Sequence, residues 1–139
     1  MKHRMRFEPG TECVSRIAVD RMMKHYGIAY DGPPRELPEA TKDFRLAGMA
    51  EELDEYRQAD PDDLVSQYDA LLDLLVFTIG TLHEHGFPMF EGFRAVMDCN
   101  MQKIVGTNSK RGDFKFDLRK PHGFVGPEER LKEILDAIK

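Results

Sequence analysis

The chain has 139 residues, 20 basic and 25 acidic side chains and a formal net charge of −5. This is the length of one domain with a single core. The acidic balance speaks against duplex nucleic acid as a partner, because such a protein needs basic footing on phosphates. Glycine and proline then divide the chain into helical stretches. Thr11 and Glu12 open a first helix that runs to about Tyr26, with Ile17 and Met22 as apolar positions and Gly27 as its stop. A loop with three prolines, YDGPPRELP, follows. A second helix is predicted from Lys42 to Ala59. A third starts at Pro61, with Asp60 as N-cap, and ends near Gly86. A fourth runs from Pro88 to Val105. The basic segment 106–126 is irregular, with a short extended piece where Phe114, Phe116 and Leu118 alternate. A last helix covers 127–138. The fold class is therefore all-α: a four- to five-helix bundle in one domain, 1–139, with its helical core at about 11–105.

No apolar stretch is expected to approach the length of a membrane span. The opening MKHRMRFEPG lacks the apolar core of a signal peptide. Cys13 and Cys99 are too few for a zinc site or a disulfide scaffold, so they read as two buried thiols in a reducing cytoplasm.

Charge is split along the chain. Between Glu51 and Asp73 lie nine acids and one base, Arg57; between Gln102 and His122 lie six bases and two acids. At 100° per residue, the third helix is apolar nearly all round, which predicts a central, buried element. Asp69 and Asp73, spaced i and i+4, share one of its faces with Gly80. A buried carboxylate must be paired, protonated or metal-bound. Asp62 and Asp63 fall in the first turn and read as helix-dipole complements. On the second helix Leu46, Met49, Ala50 and Leu53 form the apolar stripe. Glu51, Glu52 and Glu55 fall on another arc with Gly48 and Ala59, where small residues let a neighbouring helix approach. Asp54 lies off that arc and is solvated.

Three glutamates facing two aspartates would repel one another, and hard divalent cations relieve that repulsion. His83 and His85 have no metal-ligand spacing and read as C-terminal charges on the helix dipole. Mg²⁺, or Mn²⁺, is thus favoured over Zn²⁺ or di-iron. On the fourth helix Asn100 and Lys103 are neighbours, and a lysine facing an acid–metal cluster suits a phosphate between them.

The ordered set Glu51-Glu52-x-x-Glu55, Asp69-x-x-x-Asp73, Asn100-Met101-x-Lys103 and Lys120-Pro-x-Gly-Phe124 resembles the all-α nucleoside triphosphate pyrophosphohydrolases. This is the MazG-like group, which includes phosphoribosyl-ATP pyrophosphohydrolase and the dimeric dUTPases. The short phage and bacterial branch is the most similar, over residues 11–138. Two positions depart from the family pattern. Ala70 stands where the family writes Glu, with Asp69 as the substitute one residue earlier. Met97 stands where the family often has His.

The resemblance implies hydrolysis of a nucleoside triphosphate to monophosphate and pyrophosphate. It places two or three Mg²⁺ ions on Glu52, Glu55, Asp69 and Asp73, where they orient the phosphates and activate a water. Glu51 is assigned as general base or water orienter. Lys103 offsets charge on the departing pyrophosphate, with Asn100 placing the phosphates or sugar. Arg119 or Lys120 closes over the substrate, with Arg111 and Lys115 as alternatives from the same basic tail. Ile17, Asp20 and Arg21 are the base-pocket candidates. The substrate suggested is a dNTP such as dGTP or dATP, in nucleotide-pool control of the phage type, in the host cytoplasm if phage-encoded. House-cleaning of non-standard nucleotides is the alternative within the enzyme class. A non-catalytic metal-binding or interaction module is the alternative outside it, and Ala70 is the feature in its favour. A homodimer or homotetramer is expected, built from Phe90, Phe93 and the terminal helix; no membrane and no nucleic-acid partner is expected.

Overall fold

The computed structural model describes residues 14–106 and 118–138. Their element order is α1 (Val14–His25), α2 (Glu39–Gln58), α3 (Leu64–Glu84), α4 (Met89–Asn100), β1 (Ile104–Val105), β2 (Leu118–Arg119) and α5 (Glu128–Asp136). The described residues are mostly helical, as the sequence predicts, with a minimal strand pair that it does not predict. The described residues divide into two compact units, one over 14–89 and one over 90–106 and 118–137.

The first unit holds α1, α2 and α3. Its core is Val19 and Met23 from α1 with Ile79 from α3; Ala29, Val76 and Met89 pack against them. The α1 face that goes inward is therefore not the one expected, since Met22 is exposed. Thr11 and Glu12 lie outside the described residues. Gly27 ends the helix at φ 70°, so that Ile28 N–H reaches back to the Met23 carbonyl at 2.9 Å.

The proline-rich loop is latched to the end of α3. Arg35 donates its backbone N–H to the His85 carbonyl at 2.9 Å. Its Nε donates to the Glu84 carbonyl at 2.9 Å, and its guanidinium lies 3.5 Å above the Tyr30 ring. His85 Nδ1 returns a hydrogen bond to the Arg35 carbonyl at 2.8 Å. One arginine thus satisfies terminal carbonyls that a helix leaves unpaired.

Asp63, not Asp60, is the N-cap of α3. Its Oδ1 accepts Ser66 N–H at 3.0 Å and its Oδ2 accepts the Ser66 hydroxyl at 2.6 Å. These bonds lower the Asp63 pKa. Asp60 closes the preceding turn instead, accepting Asp62 N–H at 2.9 Å. The helix starts three residues later than expected because Ser66 gives Asp63 a second donor.

The burial expected of α3 holds only for part of it. Ala70, Ile79, Gly80, His83 and Glu84 are buried. Leu64, Val65, Tyr68, Leu71, Leu72 and Leu75 are exposed, with Val65 at 78%. On α2, likewise, Arg45 and Gly48 are buried while Leu46 and Leu53 of the expected apolar stripe are exposed. Helix α3 also meets the length and hydropathy of a membrane-crossing helix, contrary to expectation. A core helix has the same composition.

In the second unit, α4 stops at Asn100 rather than running to Val105. Ile104 and Val105 leave the helix and pair antiparallel with Arg119 and Leu118, as β-branched residues ahead of Gly106 favour. Leu118 confirms part of the predicted extended piece; Phe114 and Phe116 lie outside the described residues. Helix α5 rests its Leu131 against α4, with Cδ2 3.5 Å from where a Cβ on Gly92 would stand.

Candidate functional site

The α2–α3 pair sets the site, and two glycines bring these helices together. A Cβ at Gly48 would collide with the Phe77 ring. At Gly80 a Cβ would stand 3.0 Å from Arg45 Nη1. Arg45 reaches past that glycine to Glu84, Nη2 to Oε1 at 2.5 Å, with both residues buried. The same Nη2 is 3.7 Å from Met23 Sδ. The guanidinium also lies 5.8 Å from the Phe44 ring and 5.9 Å from that of Phe77. Residues later in α2 therefore meet residues earlier in α3, in an antiparallel register.

One turn beyond Gly48 comes Glu52. Its Oε2 is closed off from solvent and has no hydrogen-bond partner. Its pKa is raised, first by desolvation and then by the charges of Glu55, Asp73, Glu51 and Asp69. The structure thus brings all five sequence-predicted carboxylates into one electrostatic neighbourhood. Asp69 and Asp73 are exposed rather than buried: the buried residue on that stretch of α3 is Ala70, 1% exposed. Asp54 pairs with Arg57 at the surface, off the cluster, as expected.

Among the described residues no group of three or more acidic, His or Cys side chains is drawn close enough to hold one ion. The donor set nevertheless suits a hard cation: every donor is oxygen, and Glu52 Oε2 is a desolvated acceptor with nothing to accept from.

The second unit gathers basic groups around one ring. Lys103 Nζ donates to Asn100 Oδ1 at 2.9 Å and lies 5.9 Å from the Phe124 centroid. Lys120 Nζ lies 5.5 Å from the same ring. Arg119 lays its side chain over Gly106, in space a Cβ there would fill. Asn100, Lys103 and Lys120 are therefore brought together, with Arg119 next to them on β2. The sequence motif contained Phe124 without assigning it a role; an aromatic at a lysine-bearing turn was the available signal. Arg111 and Lys115 lie outside the described residues.

On α1, Ile17 is half-buried and Arg21 exposed. Asp20 Oδ1 is engaged within the protein, by Arg16 Nε at 2.7 Å and by His83 Nδ1 at 2.8 Å. His83 is not a C-terminal surface charge: it is buried, and its Nε2 accepts the Tyr30 N–H at 2.9 Å. Burial against α1 and the loop, rather than its place in the last turn, decides its role. Cys99 is a free, half-buried thiol whose Sγ points to the Val125 carbonyl at 3.6 Å. Cys13 lies outside the described residues.

No curated protein matches the chain. The sequence model of the phosphoribosyl-ATP pyrophosphohydrolase family matches residues 19–100. The match includes the five carboxylates and Asn100 but stops short of Lys103, Arg119 and Lys120. It covers more than half of the sequence, on a helical chain whose second and third helices assemble an acidic cluster: the chain belongs to the phosphoribosyl-ATP pyrophosphohydrolase family, within the MazG-like all-α NTP pyrophosphohydrolases.

Proposed function

We propose that this pyrophosphohydrolase is Mg²⁺-dependent and converts a (d)NTP and water to (d)NMP and pyrophosphate, with a dNTP such as dGTP or dATP as substrate. Its setting would be nucleotide-pool control of the phage type, in the cytoplasm. The observation that carries the reading is Glu52, with an orphaned Oε2 among four further carboxylates. Glu52, Glu55, Asp69 and Asp73 would hold the cation. When bound, Mg²⁺ (or Mn²⁺, as two or three ions) neutralises these carboxylates and polarises the phosphoryl group.

The chain's own groups then have distinct tasks. Glu51 is exposed beside the ligand set and would orient the attacking water and accept its proton. Water oxygen bonds to the α-phosphorus, the α–β anhydride bond breaks, and pyrophosphate departs with the bonding pair. Lys103, held by Asn100, and Lys120 and Arg119 carry the positive charge suited to phosphate oxygens. Ile17 and Asp20 complete the proposal as base contacts, Asp20 with a carboxylate already bonded to Arg16 and His83. A homodimer or homotetramer is part of the reading.

The test is incubation with each of the eight common NTPs and dNTPs, with Mg²⁺ and then Mn²⁺, and chromatography of the products. Monophosphate plus pyrophosphate, lost in Glu55→Gln, supports the proposal and names the base. Release of orthophosphate instead would place the cleavage at a different bond and overturn it. Turnover confined to oxidised or deaminated nucleotides would favour house-cleaning. Ala70 is the observation behind the non-catalytic reading: it puts a methyl where the family writes a carboxylate. Metal binding with no turnover of any nucleotide would support that reading.

A further inference from the structure

We propose that the buried Arg45–Glu84 ion pair is a positioning element that fixes the register of α2 against α3, and so holds Glu52 beside Asp69 and Asp73. The role of the acidic cluster rests on the metal-site reading above; the register lock itself does not.

The other contacts of the helix pair are apolar or weak and tolerate a slide better than a buried ion pair does. The leucines of α2 that would interdigitate in an apolar seam, Leu46 and Leu53, are exposed. Between the helices lie Gly48 under the Phe77 ring, Phe44 6.2 Å from that ring, Met49 Sδ 3.8 Å from Thr78 Oγ1, Gly80 beside the Arg45 guanidinium, and the ion pair at 2.5 Å. A ring over a glycine can slide to the next gap. Two buried charges cannot, because a one-turn shift would leave each without its partner in a site that excludes water. Single buried polar contacts are known to specify register in packed helices. Arg45 is already at its limit, since its Nε is buried without a partner.

The other end of the same helix pair makes such a lock necessary. There Glu52 of α2 lies within electrostatic range of Asp69 and Asp73 of α3, and like charges facing across a helix pair repel. Repulsion favours any slide that separates these groups. Arg45 lies seven residues from Glu52 on α2, or roughly 10 Å along the axis. It is thus distant enough to touch no proposed ligand and near enough to fix its axial position.

The experiment uses full-length protein with Cys13 and Cys99 changed to Ser and spin labels at Lys42→Cys and Tyr68→Cys. Both labelled sites are exposed, on α2 and α3. The comparison is with Arg45→Met/Glu84→Met, which keeps volume and removes both charges. We expect one narrow label–label distance in the parent. In the double variant we expect a broadened distribution or a shift of about 5 Å, one helical pitch. Mn²⁺ affinity, measured by calorimetry without nucleotide, should fall about tenfold or more, as when a supporting partner of a metal site is lost. An unchanged distance in a folded double variant overturns the lock. If the double variant does not fold, Arg45→Gln/Glu84→Gln keeps polar groups in place of both charges, and an unchanged distance there overturns it equally. Failure of the parent to bind Mn²⁺ would sink the metal reading, while the distance still decides the lock.

Discussion

His83 on α3 meets Asp20 on α1 through a 2.8 Å contact from Nδ1 to Oδ1, and the ring's other bond decides its proton. A backbone N–H can only donate, so Nε2, 2.9 Å from Tyr30 N, must accept. The proton therefore sits on Nδ1 and is given to Asp20. One buried ring joins α1, α3 and the start of the loop. His83→Phe keeps the ring and removes both bonds, leaving the Tyr30 N–H without its partner. We expect a loss of about 1–3 kcal/mol in urea unfolding. His83→Gln, which can both accept and donate, should lose less.

Glu52→Gln should lower kcat/KM about 100-fold or more, since even supporting partners of metal ligands cost 10–100-fold. Steady-state kinetics across a Mg²⁺ titration checks this. The loss should appear as weakened Mg²⁺ activation, with nucleotide KM at saturating Mg²⁺ much less affected.

The same residue gives a pH signature without metal. Desolvation and four neighbouring carboxylates raise the Glu52 pKa above 4.5. The folded state therefore holds its proton more tightly than the unfolded state does. Ionised Glu52 opposes folding at neutral pH, and that penalty disappears as pH falls through its raised pKa toward 4.5. Metal-free Glu52→Gln should melt above the parent at pH 7 and converge with it in acid. Added Mg²⁺ should reverse the order at pH 7, because it stabilises the parent more.

Asp63 behaves in the opposite sense. Its bonds to Ser66 lower its pKa from 3.8, so its stabilisation is complete above that value and fades as pH falls through the lowered one. Thermal melts of Asp63→Ala should show a deficit at pH 7 that closes only in strong acid. Ser66→Ala, which removes the hydroxyl bond but not the backbone bond, should show a smaller deficit.

The exposed leucines of α3 bear on assembly. Leu64, Val65, Tyr68, Leu71, Leu72 and Leu75 form a large apolar surface on one helix, of a kind that marks association sites. Light scattering should give the mass of two or four chains, and Leu72→Glu should lower it. A parent that stays monomeric at micromolar concentration would overturn the oligomer.

The sequence made the helical class legible through its periodicity, and the acidic neighbourhood through the spacing of Glu51, Glu52, Glu55, Asp69 and Asp73. It misplaced burial, because periodicity reports which residues share a face and not what covers that face. Helix α3 looked central on composition, yet Leu64, Leu71, Leu72 and Leu75 are exposed while Ala70 and Gly80 are buried. The α2 seam went to Arg45 and Gly48 because a buried charge can be matched only by its counter-charge, and Glu84 lies far away in sequence. His83 was misread for a similar reason: its partners are on α1 and the loop. Local chemistry could have separated Asp60 from Asp63, since Ser66 stands three residues after the true cap.

The Arg35 latch changes what the proline-rich segment is. By composition, residues 30–38 look like an open target for a protease. A protease, however, must draw several residues into an extended strand before it can cut. Arg35 is held at its amide, its carbonyl and its guanidinium by the end of α3 and by Tyr30. Leu37, two residues later, is buried. Cleavage there requires this part of α3 to let go first, so resistance to nicking at Arg35 becomes a direct gauge of whether α3 is docked.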